Sequence, residues 1–128
     1  MVATVAIPGR RVSSGETFRT DWMPRGGDCV ILRVEVLHDD GGGSVLKFAL
    51  ETRGEDGTTV TTMTPTSTGL EVATTGVATC VYLATEATTP GNGAQEQVRV
   101  VVTCTSEEEG YYVARIFPLI FFDSAREY

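Results

Sequence analysis

One histidine, His38, stands directly before Asp39-Asp40-Gly41-Gly42-Gly43-Ser44. It is the one place where neighbours in sequence bring a base, an acid and a hydroxyl together. A hydrolytic triad needs those three groups in register, with the nucleophile raised on a sharp turn. The chain has no GxSxG elbow to raise it. The glycine run lacks the Lys-Ser/Thr ending of a phosphate loop, and a strand-like segment follows it where a helix should begin. The spacing therefore predicts a solvated turn histidine, and a small enzyme using His38 with Asp39 is the weakest of three functional readings.

Metal chemistry finds little more to work with. The three cysteines, Cys29, Cys80 and Cys104, form no CxxC pair and have no histidine close in sequence. A structural zinc site needs about four such ligands at paired spacings. The expectation is three reduced, largely buried thiols in a cytosolic product, with a Cys80–Cys104 bridge as the lesser alternative. Acidic turns recur at Asp39-Asp40, Glu55-Asp56 and Glu107-Glu108-Glu109. Oxygen-rich loops can hold calcium, but the DxDxDG spacing is absent and solvated turn tips account for them. Paired-carboxylate glycosidase chemistry needs two acids facing one cleft, whereas the carboxylates here cluster in turns. No catalytic residue, metal ligand or cofactor is assigned.

The elements that would position any site are strands. Thr17–Trp22 alternates. In Cys29–His38, Val30, Leu32, Val34 and Val36 share one face, and Ile31, Arg33, Glu35 and Leu37 share the other. Val45–Thr52 points Leu46, Phe48 and Leu50 inward, and Asp39–Gly43 between these two segments predicts a hairpin. Thr58–Thr64 and Leu70–Thr74 are threonine-rich and suit edges. Val77–Ala87 is apolar on both faces, which predicts a central strand or one covered by another subunit. Gln97–Thr105 alternates, Glu107–Gly110 turns the chain, and Tyr111–Phe117 returns. No window carries a helical apolar stripe. The expectation is a single all-β domain over residues 1–128. It is an antiparallel β-sandwich of about 8–10 short strands, a class that includes jelly-roll-like arrangements.

The net charge of −7 argues against a nucleic-acid partner, which needs a basic surface to displace counterions. The charge is uneven. Residues 1–38 hold five arginines against four acids, and residues 39–128 hold five basic residues against 13 acids. The N-terminal third could thus lie against an acidic partner. No stretch approaches the roughly 20 apolar residues of a membrane-spanning helix. The first residues carry their charges after a short apolar run, the reverse of a secretory signal, so no membrane partner is expected.

Three features fit a protein that works by contact. Residues 1–11 form a candidate N-terminal arm in which Val2, Val5 and Ile7 precede Arg10 and Arg11, able to add to a neighbour's sheet edge. Near the other end Phe117, Leu119, Ile120, Phe121 and Phe122 are too continuous to point all one way from a strand, so one side is either covered or meets a partner. Residues 123–128 are a polar tail. Threonine excess gives strands that pair well without greasy surface. Trp22 is a further interface candidate, shared with a sugar-binding alternative that would use it with Tyr82, Tyr111 and Tyr112 in an exposed aromatic row.

In general style this chain resembles the small β-sandwich accessory proteins of bacteriophage particles, such as capsid decoration or cement proteins. The resemblance implies a non-enzymatic homo-oligomer, taken as a trimer, that binds itself and a capsid or other particle protein. It also implies assembly in the host cytoplasm and residence in the virion. The alternative is a carbohydrate- or ligand-binding β-sandwich module.

Overall fold

In the computed structural model, residues 7–13, 17–38, 45–63, 70–72, 75–82, 94–105 and 111–123 are described. They are all strand, turn or extended chain, and no helix is long and apolar enough to cross a membrane.

Among the described residues, eleven strands form two antiparallel sheets. The first sheet holds β1 (Ile7–Ser13), β4 (Cys29–His38), β8 (Gly76–Tyr82), β10 (Tyr111–Ile116) and β11 (Ile120–Phe122). The second holds β2 (Thr17–Arg19), β3 (Met23–Pro24), β5 (Val45–Arg53), β6 (Val60–Thr62), β7 (Leu70–Val72) and β9 (Gln97–Thr105). Short strands pair up end to end. β10 and β11 line one side of β4 and β8 lines the other. β2 and β3 line one side of β9, and β6 and β7 the far side of β5.

Each sheet is therefore four strands wide: β1, β10/β11, β4, β8 in one and β2/β3, β9, β5, β6/β7 in the other. Taken along the chain, the strands alternate between sheets except at β5–β6/β7. That is the connectivity of a jelly roll, two Greek keys folded over one core.

Two hairpins expected from sequence are corrected. β4 and β5 lie in different sheets, as do β9 and β10. Both strands of the first pair point their even-numbered residues inward: Val30, Leu32 and Val34 are fully buried, and so are Leu46, Leu50 and Thr52. Facing one another across the core satisfies that pattern as well as pairing side by side would, so alternation alone does not choose between them. The central position expected for Val77–Ala87 is also corrected. Among the described residues β8 pairs with β4 on one side and with no strand on the other, and residues 83–87 of that segment lie outside the described residues. The threonine-rich β6 and the short β7 beside it are edges.

Two buried threonines hold irregular backbone in place. Thr20 interrupts the run from β2 to β3. Its N–H donates to the Val100 carbonyl at 3.0 Å, and its Oγ1 accepts from the Val100 N–H at 3.0 Å, replacing the carbonyl a regular strand would offer. The fully buried Thr52 accepts from the Gln95 N–H and donates to the Gln97 carbonyl, both at 2.8 Å, pinning residues 95–97 to β5. Buried Gly27 lies against the backbone of Phe122. A Cβ there would sit 2.6 Å from its carbonyl oxygen, so only glycine lets β11 close onto the sheet.

Candidate interaction surface

The outer face of the first sheet carries an apolar row three strands wide. Ile120 of β11 pairs with Ile31 of β4, which pairs on its other side with Val81 of β8. Two steps along the same face, beyond the Arg33–Thr79 pair, Arg115 pairs with Glu35 and Glu35 with Val77. Of the four large hydrophobic side chains that are exposed among the described residues, three belong to this sheet: Ile120 at 48%, Val77 at 49% and Leu37 at 47%. Leu37 is the extra residue of a β-bulge, since Val113 pairs with His38 and Ala114 with Val36. Bulges re-aim the side chains they displace.

Between the apolar positions the charges are held. Arg115 forms a close ion pair with Glu35. The guanidiniums of Arg33 and Arg115 lie 5.0 and 4.9 Å from the centre of the Phe117 ring, within cation–π range. The Phe117 N–H donates to the Arg33 carbonyl at 3.0 Å, carrying the β10 ladder on past its end. Phe117 is thus fixed as a half-buried ring under two cations. Among the described residues, the Nε of Arg115 is buried with no hydrogen-bond partner.

The outer face of the second sheet has a different character. Glu51 accepts from Arg99 Nε at 2.7 Å and lies 3.4 Å from Arg19 Nε. Arg53 donates through Nε to Gln97 Oε1 at 2.6 Å and through Nη1 to the Gly57 carbonyl at 3.3 Å. Both Arg53 and Arg99 then stack on Trp22, at 4.4 and 4.2 Å from the ring centre. The break at Thr20 makes this possible. Met23 takes the inward position opposite Val98, which leaves Trp22 on the outer face beside Arg99 instead of continuing the side of Phe18. Lys47 and Glu71 complete the face with an exposed pair at 3.4 Å. Val60 is the one exposed large hydrophobic of this sheet among the described residues.

The candidates named from sequence separate accordingly. Val2 and Val5 lie outside the described residues. Ile7, Arg10 and Arg11 lie in β1, whose backbone pairs with β10 of its own sheet through a register shift between Ile7 and Arg10. The C-terminal run divides: Leu119 and Phe121 enter the core at 1% and 8% exposure, Ile120 faces out, and Phe117 and Phe122 are half-buried. Ile31, Leu37, Val77 and Val81 were not singled out. Their signal was present in the apolar ends of the wetter face of β4 and in the two-sided apolar character of β8.

The other chemistries gain no geometry. His38 is exposed at the end of β4, opposite Val113, and Asp39 and Ser44 lie outside the described residues. Cys29, Cys80 and Cys104 are buried and form no disulfide, with Cys80 and Cys104 on different sheets. Among the described residues, no three His, Cys, Asp or Glu side chains gather within metal-binding reach. The Asp56 carboxylate is occupied by its own turn. It accepts from the N–H groups of Thr58 and Thr59 at 3.1 and 3.3 Å and from the Thr59 hydroxyl at 2.9 Å. Those bonds hold its pKa below the ordinary aspartate value, the Thr58 N–H contributing most. A shallow polar hollow lined by Arg25, Gly26, Gly27, Asp28 and Asp123 lies where β11 ends. Tyr82 and Tyr112 are core residues at 1% exposure, so they form no exposed aromatic row with Trp22. Compared with protein-family models, curated proteins and solved structures, the chain matches none.

Proposed function

We propose that this chain is a non-enzymatic structural protein that acts through protein contact, most concretely a decoration- or cement-like accessory of a bacteriophage virion. The observation that carries this reading is the outer face of the first sheet. There Ile120, Val77 and Leu37 are exposed, with Ile31 and Val81 half-buried beside them, on a surface four strands wide. Apolar groups concentrated on one face mark interaction sites more often than chance exposure does. β11 supplies one member of the row and β1 supplies an edge of the same sheet, so both terminal strands belong to it. Jelly-roll sandwiches are a recurrent architecture of viral shells, an analogy of fold that adds weight without assigning a role. The partners are further copies of the chain and a shell protein, met in the host cytoplasm during assembly, with the acidic turns left to solvent.

The test is co-expression with the shell protein encoded on the same genome, followed by gradient sedimentation and light scattering. Recovery in the shell fraction, lost on Ile120→Asp with Ile31→Asp, supports the proposal. A chain that stays at the top of the gradient and monomeric at every concentration refutes it.

A further inference from the structure

Among the described residues, the outer face of the first sheet carries one cation more than it pairs. The guanidiniums of Arg33 and Arg115 both lie over the Phe117 ring, and the carboxylate beside them, Glu35, is taken by Arg115. The Arg33 guanidinium meets that ring and, among the described residues, no hydrogen-bond acceptor. Every other arginine or lysine whose side chain is described reaches an oxygen: Arg19 and Arg99 at Glu51, Arg25 at the Ala94 carbonyl, Arg53 at Gln97 and Lys47 at Glu71.

The unpaired cation stands in the middle of the apolar positions. Arg33 is exposed on β4 between Ile31, which pairs with Ile120, and Glu35, which pairs with Val77. A partner that covers the exposed Ile120 and Val77 together therefore covers Arg33 between them. If that partner were apolar throughout, it would take an unpaired charge out of water, which is strongly unfavourable. A second copy pressed on by the same face does not help. It brings a further Arg33, Arg115 and Glu35, so two unpaired cations meet. What the face lacks is an anion.

We propose that this face docks a shell-protein surface carrying an Asp or Glu carboxylate ringed by aliphatic side chains, with the carboxylate seated on the Arg33 guanidinium. This rests on the assembly reading above and deepens it: the face belongs to the shell protein, and contacts between copies fall to other surfaces. A guanidinium presents a planar fork of N–H donors that matches a carboxylate in two parallel bonds. Phe117 under Arg33 restrains the side chain before the partner arrives, so less freedom is lost on docking. An arginine at the centre with aliphatic residues excluding water around it is the usual make-up of an interface hot spot. The net charge of −7 gives an acidic partner no attraction at long range, so the pair is read at contact.

Three substitutions at this position test it, scored by binding to the co-expressed shell protein. Arg33→Leu removes the charge and adds apolar surface, Arg33→Gln removes the charge but keeps a donor, and Arg33→Lys keeps the charge without the fork. Loss of one member of a covered charge pair should weaken binding roughly 30- to 1,000-fold for Arg33→Leu and Arg33→Gln, with Arg33→Lys between these and wild type. All three should keep the wild-type melting temperature, since the Arg33 side chain is exposed and holds no hydrogen bond among the described residues. Arg33→Lys also allows the partner group to be read directly. A carbodiimide joins a lysine amine to a carboxylate in contact with it, and the chain's one native lysine, Lys47, lies on the other sheet beside Glu71. Digestion and mass spectrometry should find position 33 linked to an Asp or Glu of the shell protein. Shell binding that Arg33→Leu leaves equal or tighter overturns the proposal: the contact is then apolar only, and the assembly reading stands. A link from position 33 to another copy of this chain overturns it too, because the face then serves self-association. A wild-type chain absent from the shell fraction removes both.

Discussion

Gly27→Ala offers the sharpest check on how the C-terminal strand is held. The added methyl carbon would lie 2.6, 2.7 and 2.9 Å from the carbonyl oxygen, carbonyl carbon and nitrogen of Phe122. Comfortable carbon contacts are about 3.5–4.0 Å, so the two backbones must separate by roughly 1 Å. No rotamer can relieve the contact, because every opposing atom is main chain. Two limits bound the cost. If β11 yields locally, the penalty is that of an overpacked site, about 1–3 kcal/mol. If β11 lets go, Leu119 and Phe121 return to water at roughly 1.5–3 kcal/mol each, giving about 3–6 kcal/mol. For a domain of this length roughly 3–5 °C of melting temperature accompanies each kcal/mol, so the fall by circular dichroism should lie between about 3 °C for local yielding and about 30 °C for full release of the strand. The comparator is Gly54→Ala, where the new carbon meets the end of the flexible Gln95 side chain and the change should stay within about 0.5 kcal/mol. Phe121→Ala alone should cost about 3–5 kcal/mol, and measurably less in the Gly27→Ala background if the strand has already been released. A Gly27→Ala protein that melts with Gly54→Ala would refute the packing argument.

Thr52→Val keeps the side-chain shape but strips both bonds from the Gln95 N–H and the Gln97 carbonyl. Urea denaturation should report a loss of about 1–3 kcal/mol, against almost none for the exposed Thr62→Val. The Asp56 carboxyl, depressed by the Thr58 and Thr59 donors, contributes stability that is in place above its ordinary pKa of 3.8. That contribution is lost as pH falls through the lower folded-state value, so Asp56→Asn should flatten the acid limb of a stability–pH curve and leave the neutral limb parallel to wild type. Burial raises the Cys80 thiol, and burial followed by its neighbour Cys80 raises the Tyr82 phenol. A raised folded-state pKa gives stability that is complete below the unfolded value and lost as pH rises through the folded one. Cys80 should therefore react with a disulfide reagent at pH 8 only in denaturant, and Tyr82→Phe should reduce the loss of stability at alkaline pH.

Much of the fold was legible because its inner faces obey a period of two. Val30 to Val36 and Leu46 to Thr52 alternate cleanly, and Val98, Val100, Val102 and Cys104 line the core with Val101 buried on the other face as well. What alternation does not encode is which sheet a strand joins. The glycine-rich segment after His38 suits a hairpin turn and a crossover equally, and the choice falls to long-range pairings: β5 with β9, and β4 with β8 and β10. Which way Trp22 points is hidden for a related reason. The strand through Thr17–Trp22 alternates on paper, but the Thr20 hydroxyl takes a backbone role and the phase slips, so Met23 turns in and Trp22 turns out.

The surface was partly legible, and its two halves differ in kind. On the second sheet every outward arginine described finds a carboxylate, an amide or the indole of Trp22, so that face satisfies itself. On the first sheet Glu35 and Arg115 are likewise spent on each other and Arg33 lies over Phe117, but Ile120, Val77 and Leu37 around them are exposed. The C-terminal run showed only that one side had to remain apolar. It could not show that Ile120 would lie next to Ile31, since those two residues stand 89 positions apart in the chain. The row exists only once the jelly roll has closed. Any function that uses it is therefore a property of the folded sheet, and a peptide covering residues 117–122 should bind nothing that the intact protein binds.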